Sequence, residues 1–120
     1  MTYTRLATGK LGEDMAAAEL KQRGYRIVSR NFRCRLGEID IIGELDGRLI
    51  FIEVKTRTSL AFGLPQETVH YRKQEKIKKV AQFYLAATGQ FQRDIGFCVV
   101  AVQLDQEGKV KKIEVIEDAF

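Results

Sequence analysis

Hydrophobic positions change period several times along this 120-residue chain, and each change marks an element. Between residues 11 and about 23, Leu11, Met15 and Ala18 recur at helical spacing beside Ala16 and Leu20, and Gly24 supplies a C-terminal stop. Residues 1–10 form a polar lead-in. Residues 25–32 alternate polar with β-branched and aromatic side chains, which predicts a strand. Two further strands, 37–44 and 48–55, flank Asp46-Gly47, the strongest short signal for a β-hairpin. Residues 56–65 hold Gly63 and the single proline, Pro65, and predict a loop. A second helix is expected from about 66 to 88, with Val69, Ile77, Val80, Ala81, Tyr84 and Leu85 as its apolar stripe and Gly89 at its end. Residues 95–104 are so apolar that they belong centrally in a sheet. A turn at 105–109 leads to a last alternating strand at 110–117. The order is αβββαββ, without internal repeat or linker, so the chain is expected to be one α/β domain spanning 1–120.

Composition adds limits. Apolar residues are 45% and charged residues 30%, as in an ordinary globular protein. The longest apolar run, 97–102, is too short to span a bilayer. Met1-Thr2-Tyr3 opens no apolar signal-peptide core, so a cytoplasmic protein without membrane partners is expected. Cys34 and Cys98 lie in no metal-ligand spacing and predict reduced, buried or half-buried thiols. The one histidine, His70, lacks partners for a zinc site and is expected on a helix surface or in packing. The net charge is +4, but its distribution matters more. Arg23, Arg26, Arg30, Arg33 and Arg35 crowd one segment, and Arg72, Lys73, Lys76, Lys78 and Lys79 another. Such runs suit a polyanionic partner and equally suit solvated faces.

The hairpin collects the chemistry. If Asp46 and Gly47 are the two central residues of the turn, Leu45 faces Arg48, Asp40 faces Glu53 and Glu38 faces Lys55. Alternation then puts all four charged side chains on one face, remote from the turn, with Ile39, Ile41, Ile50, Ile52 and Val54 on the other. Directly opposed residues have Cβ atoms about 4.5–5.5 Å apart. Two carboxylates at that distance repel unless a cation lies between them. Lys55 is one candidate and a divalent metal is the other, since Mg²⁺ is commonly held by one or two carboxylates. The tripeptide acid-x-Lys occurs three times: Glu19-Leu20-Lys21, Glu53-Val54-Lys55 and Glu107-Gly108-Lys109. Only the middle one ends an apolar strand and has an aspartate placed across from it. There, burial of a Glu and a Lys costs free energy unless they are paired or bound.

With these residues the chain resembles the PD-(D/E)xK nuclease superfamily. The ordered series Leu11-Gly12-Glu13, Ala17-Ala18, Leu20, Gly24-Tyr25, Asn31-Phe32-Arg33, Gly37-Glu38-Ile39-Asp40, Phe51 through Arg57, Phe62-Gly63, Pro65, Lys73-Gln74, Ile77 and Ala81 through Leu85 closely resembles the small YraN-like bacterial family. The resemblance covers roughly residues 5–104. It implies a restriction-endonuclease-like fold, similar to Holliday-junction resolvases: a mixed β-sheet flanked by helices. It implies that Asp40 and Glu53 hold Mg²⁺ or Mn²⁺, that Glu13 completes the metal site, and that Lys55 steadies the attacking water and the charge developing on phosphate. The implied activity is metal-dependent endonucleolytic hydrolysis of phosphodiester bonds in DNA, duplex or branched. Arg33, Arg57 and Lys73 would contact the nucleic-acid backbone, Glu38 and Arg57 occupy family positions without a settled role, and a homodimer would suit a resolvase-like domain. The chain departs from the family at Gly96-Phe97-Cys98, where Arg-Phe-Asp is usual. Two alternatives stay open: a non-catalytic nucleic-acid-binding protein on the same fold, and a partner-binding protein whose acids form a salt-bridge cluster.

Overall fold

The computed structural model describes residues 5–58 and 70–120, with side chains from residue 9 onward. The elements are α1 (Arg5–Gln22), β1 (Arg26–Cys34), β2 (Gly37–Leu45), β3 (Arg48–Thr58), α2 (Tyr71–Ala87), β4 (Ile95–Leu104) and β5 (Val110–Ile116). This is the expected αβββαββ order. The strands form one sheet in the order β1-β2-β3-β4-β5. All neighbours are antiparallel except β3 and β4, which are parallel and joined through the segment containing α2. The middle strand is thus β3, and the apolar β4 lies inside the sheet one place away.

The two helices cover opposite faces. On one, Ala16, Ala17 and Leu20 of α1 pack with Ile41, Ile50, Ile52, Cys98, Val100 and Val102. On the other, Ile77, Val80, Ala81, Tyr84 and Leu85 of α2 pack with Ile39, Ile42, Leu49, Phe51 and Val99. Phe51 is fully buried, and its ring meets Tyr84 edge-on at 5.9 Å.

Three boundaries differ from expectation. Helix α1 begins at Arg5 rather than Leu11, and of its expected stripe Ala16 and Leu20 are fully buried with Leu11 packed beside them, whereas Ala18 is not. Gly12, Ala16, Ala17 and Leu20 face the sheet, while Ala18 is exposed. The periodicity misses the part of this face at Gly12 because glycine carries no apolar signal, yet a Cβ there would lie 1.8 Å from Thr56 Oγ1. The close approach of α1 to β3 therefore needs a missing side chain. Strand β3 runs on to Thr58 where a loop was expected, because Thr56, Arg57 and Thr58 continue the parallel pairing with Val102, Gln103 and Leu104. Helix α2 starts at Tyr71. His70 is its N-cap, its Nδ1 accepting from the Arg72 N–H at 3.2 Å. The remainder of the expected loop and the first positions of the expected second helix, Val69 included, lie outside the described residues.

Both thiols are free, Cys34 half-buried and Cys98 buried, where loss of hydration pushes the Cys98 pKa up to about 12. At the departure Gly96-Phe97-Cys98, the guanidinium of Arg48 occupies the space beside Gly96. It donates to the Ile95 carbonyl at 2.9 Å and lies 3.4 Å from Asp94. Among the described residues no helix is long and apolar enough to cross a membrane.

Candidate active site

The turn forms as its sequence demands. Asp46 and Gly47 both take positive φ, 51° and 81°, and Leu45 pairs with Arg48. The expected register then holds through Glu44↔Leu49, Gly43↔Ile50, Ile42↔Phe51 and Ile41↔Ile52, where the pairing of β2 with β3 stops. Each strand continues with its other neighbour. Strand β2 stays paired with β1 back to Gly37, and β3 stays paired with β4 out to Thr58. The sheet therefore forks, and Asp40 and Glu53 are the first residues inside the fork.

A reversal of alternation makes the fork. Arg30 reaches Glu13 and Asp14 of α1, whereas Phe32, two residues on, packs against Phe83 and Tyr84 of α2. Their partners behave alike: Ile41 lies in the α1 cluster and Ile39 in the α2 cluster. An unbroken strand keeps residues i and i+2 on one face. Between them sits Asn31, at φ 55°, a left-handed conformation that Asn tolerates better than most residues. Ile39 thus belongs to the α2 side rather than with Ile41, Ile50 and Ile52, and Glu38 does not share a face with Lys55. Glu38 instead lies 3.4 Å from Arg33.

At the break the Asp40 carboxylate accepts the Val54 N–H at 2.8 Å, satisfying a main-chain donor where the ladder has ended. The pKa of Asp40 is raised to about 7, first by burial, then by the neighbouring negative charge of Glu53, with the Val54 hydrogen bond pulling the other way. Glu53 is 5% exposed, the one buried charged residue among those described. Its Oε1 lies 2.8 Å from Lys73 Nζ and 3.7 Å from Lys55 Nζ. Lys55 has a lowered pKa, chiefly from burial and secondarily from the charge of Lys73, with Glu53 opposing. Burial also works against the Lys73 ammonium, but its hydrogen bond and ion pair with Glu53 prevail and raise its pKa.

Asp40, Glu53 and Lys55 are thus brought together as expected. Glu13 is half-buried and engaged elsewhere, accepting from Arg30 Nε at 2.9 Å and Asn31 Nδ2 at 3.1 Å. Among the described residues no group of three His, Cys, Asp or Glu side chains is arranged to hold a metal ion. Arg33 is strongly exposed, and alternation puts Arg57 on the face of Glu53 and Lys55. Three participants were not legible beforehand: Lys73 as the partner of Glu53, Arg30 as the partner of Glu13, and the Val54 N–H. The one available signal was Asn31, a residue suited to positive φ within a strand.

Comparison with known proteins assigns the family. Residues 12–102 match the sequence profile of "Uncharacterised protein family UPF0102". The chain belongs to that family. UPF0102 proteins similar to it include one from Moorella thermoacetica, 48% identical over 120 residues and the whole of both chains. One from Caldicellulosiruptor bescii is 49% identical over 113 residues, covering 93% of this chain and 95% of the relative. One from Syntrophus aciditrophicus is 50% identical over 115 residues, covering 96% and 89%. Among solved structures, Pyrococcus furiosus SfsA in complex with Ca²⁺ covers 92% of this chain and 62% of its own at 16% identity, with a TM-score of 0.35. At that score the likeness carries no argument. The matched span, residues 12–102, contains Glu13, Asp40, Glu53, Lys55 and Lys73.

Proposed function

We propose that this UPF0102 protein is a metal-dependent nuclease that hydrolyses phosphodiester bonds of DNA, duplex or branched, at the fork between β2 and β3. The observation that carries the reading is the meeting of two carboxylates where the β2–β3 ladder ends: a half-buried Asp40 that accepts the Val54 N–H, beside the buried Glu53, with burial first and the Glu53 charge second raising the Asp40 pKa to about 7. A pair of close, desolvated carboxylates attracts a second cationic partner, and hard oxygen donors suit Mg²⁺ or Mn²⁺. The donor set therefore fits such an ion with Asp40 and Glu53 as its protein ligands. Glu13, held by Arg30 and Asn31, would act through an intervening water. Bound there, the ion would supply a Lewis acid for a phosphoryl oxygen and a water of lowered pKa.

The chain's own groups have separate tasks. Asp40, fixed by the Val54 N–H, must be ionised to serve as a ligand, so binding of the ion would release its proton and strengthen as pH rises. Lys55, on the same strand face as Glu53, orients the attacking water and stabilises the negative charge that grows on phosphate. Lys73 neutralises Glu53, and would be available to a phosphate oxygen were that carboxylate to hold the ion.

The test is a cleavage panel of linear, single-stranded, flapped and four-way DNA with Mn²⁺, with wild type beside Asp40→Asn and Lys55→Ala. Cutting by wild type, lowered about 10²-fold or more in both variants, is expected. Cutting that persists undiminished in both would exclude the mechanism. The Lys73–Glu53 ion pair favours a second reading, a non-catalytic nucleic-acid-binding protein whose acids are neutralised internally. Salt-sensitive binding with no cutting on any substrate would support that reading.

A further inference from the structure

The two basic segments of the sequence have different fates. In the first, Arg23 pairs with Glu19, Arg26 with Glu44, Arg30 with Glu13 and Asp14, and Arg33 with Glu38, so most of its charge is neutralised locally. In the second, Arg72, Lys76 and Lys79 are exposed and make no ion pair among the described residues. Steps of four and three residues put these three on one edge of α2, and Phe83, four residues further, ends the row. The acid of this helix, Glu75, lies off the row and pairs with Lys78. Lys73, one residue from the start of the row, reaches Glu53 inside the fork. At the far side of the fork Lys76 lies along β2, its carbon chain within 3.5 Å of where a Cβ on Gly37 would be. The row therefore begins at the candidate site and runs away from it.

We propose that this edge of α2, Arg72-Lys76-Lys79, is the track on which the phosphate backbone of a nucleic-acid strand lies as it enters the fork, an inference that rests on the nucleic-acid reading of that site. The seven steps from Arg72 to Lys79 rise about 10 Å along the helix axis. At about 3.4 Å of axis per phosphate on one strand, that length accommodates roughly three phosphates. The side chains meet charge and not base edges, so the track sets register and direction without reading sequence.

The experiment measures binding of a fluorescently labelled 30-mer, single-stranded and as duplex, over a range of salt with Ca²⁺ and without any divalent ion. Wild type is compared with the triple variant Arg72→Ala, Lys76→Ala, Lys79→Ala. A control triple, Lys109→Ala, Lys111→Ala, Lys112→Ala, removes the same charge from exposed positions at and just before β5. Circular dichroism and melting establish that all three proteins are folded. The α2 triple is expected to bind more than 10-fold more weakly at low salt and to lose about 2–3 from the slope of log K against log salt. The control triple is expected to follow wild type. Equal losses in the two triples, an α2 triple that binds as wild type does, or a wild type that binds neither nucleic acid would overturn the track. Cleavage by wild type in Mn²⁺, scored separately, keeps the nuclease reading apart. A protein that binds through α2 but cuts nothing retains the track and loses the nuclease.

Discussion

At the scale of single residues, one carboxylate sets the pH behaviour. The folded-state pKa of Asp40, about 7, lies above the 3.8 of an ordinary aspartate. Between these values the folded protein holds a proton that the unfolded chain has released. The resulting stabilisation is complete below about 3.8 and is lost as pH rises through 7. In metal-free protein, Asp40→Asn should therefore raise the melting temperature relative to wild type by several degrees more at pH 8 than at pH 5. Asn keeps an acceptor for the Val54 N–H but never ionises. An equal shift at both pH values, by differential scanning fluorimetry, would contradict the buried-pair account. Gly12 makes a second prediction. Gly12→Ala gains helix propensity but collides with Thr56, a side chain anchored in the sheet. A net loss of about 1–3 kcal/mol in urea unfolding is expected, with partial recovery when Thr56→Ala is added.

At the scale of elements, α2 has three tasks on three of its faces. Its apolar stripe seals one side of the sheet, Lys73 reaches into the fork, and the Arg72-Lys76-Lys79 edge faces solvent. The coupling between Lys73 and Lys55 is testable without any substrate. Lys73 is second to burial among the causes that lower the pKa of Lys55. Lys73→Met should move the Lys55 titration upward, which ¹⁵N-lysine NMR of Nζ can follow. An unmoved titration would mean that the two ammonium groups do not share Glu53. The fork itself is a property of strand pairs. Strand β2 belongs to β1 over its whole length and β3 to β4, so their own hairpin is the part of the sheet that can part without exposing a long edge.

At the scale of the molecule, the two cores lie on opposite faces of one sheet, and β3 contributes Ile50 and Ile52 to one and Leu49 and Phe51 to the other. Melting either face removes support from the other, so one cooperative transition is expected for the whole chain. Leu20→Ala, under α1, and Leu85→Ala, in α2, should each lower stability by about 2–5 kcal/mol. Both should do so within the same single transition, seen alike by far-ultraviolet circular dichroism and tyrosine fluorescence. Two separable transitions would refute a single folding unit.

Periodicity, two glycine stops and the Asp46-Gly47 turn were enough to read the element order, the hairpin register and the meeting of Asp40, Glu53 and Lys55, because each depends on neighbours in sequence or on a single turn. On α1 the pattern found Ala16 and Leu20 but included the exposed Ala18 and missed Gly12, whose contact with Thr56 is made by a side chain that is not there. The length of β3 was underestimated because residues 56–58 are held by a parallel neighbour more than forty positions away. The reversal at Asn31 and Asp40, and with it the separation of Glu38 from Lys55, arises from two strands changing face together, which no one-strand pattern records. Which lysine grips Glu53, and that Arg30 and Asn31 hold Glu13, followed only from how the helices dock on the sheet. Local chemistry fixes what a segment prefers to be. The docking of covered faces fixes which charged side chains meet, because long-range charge partners are chosen by packing and carry no signature in sequence spacing.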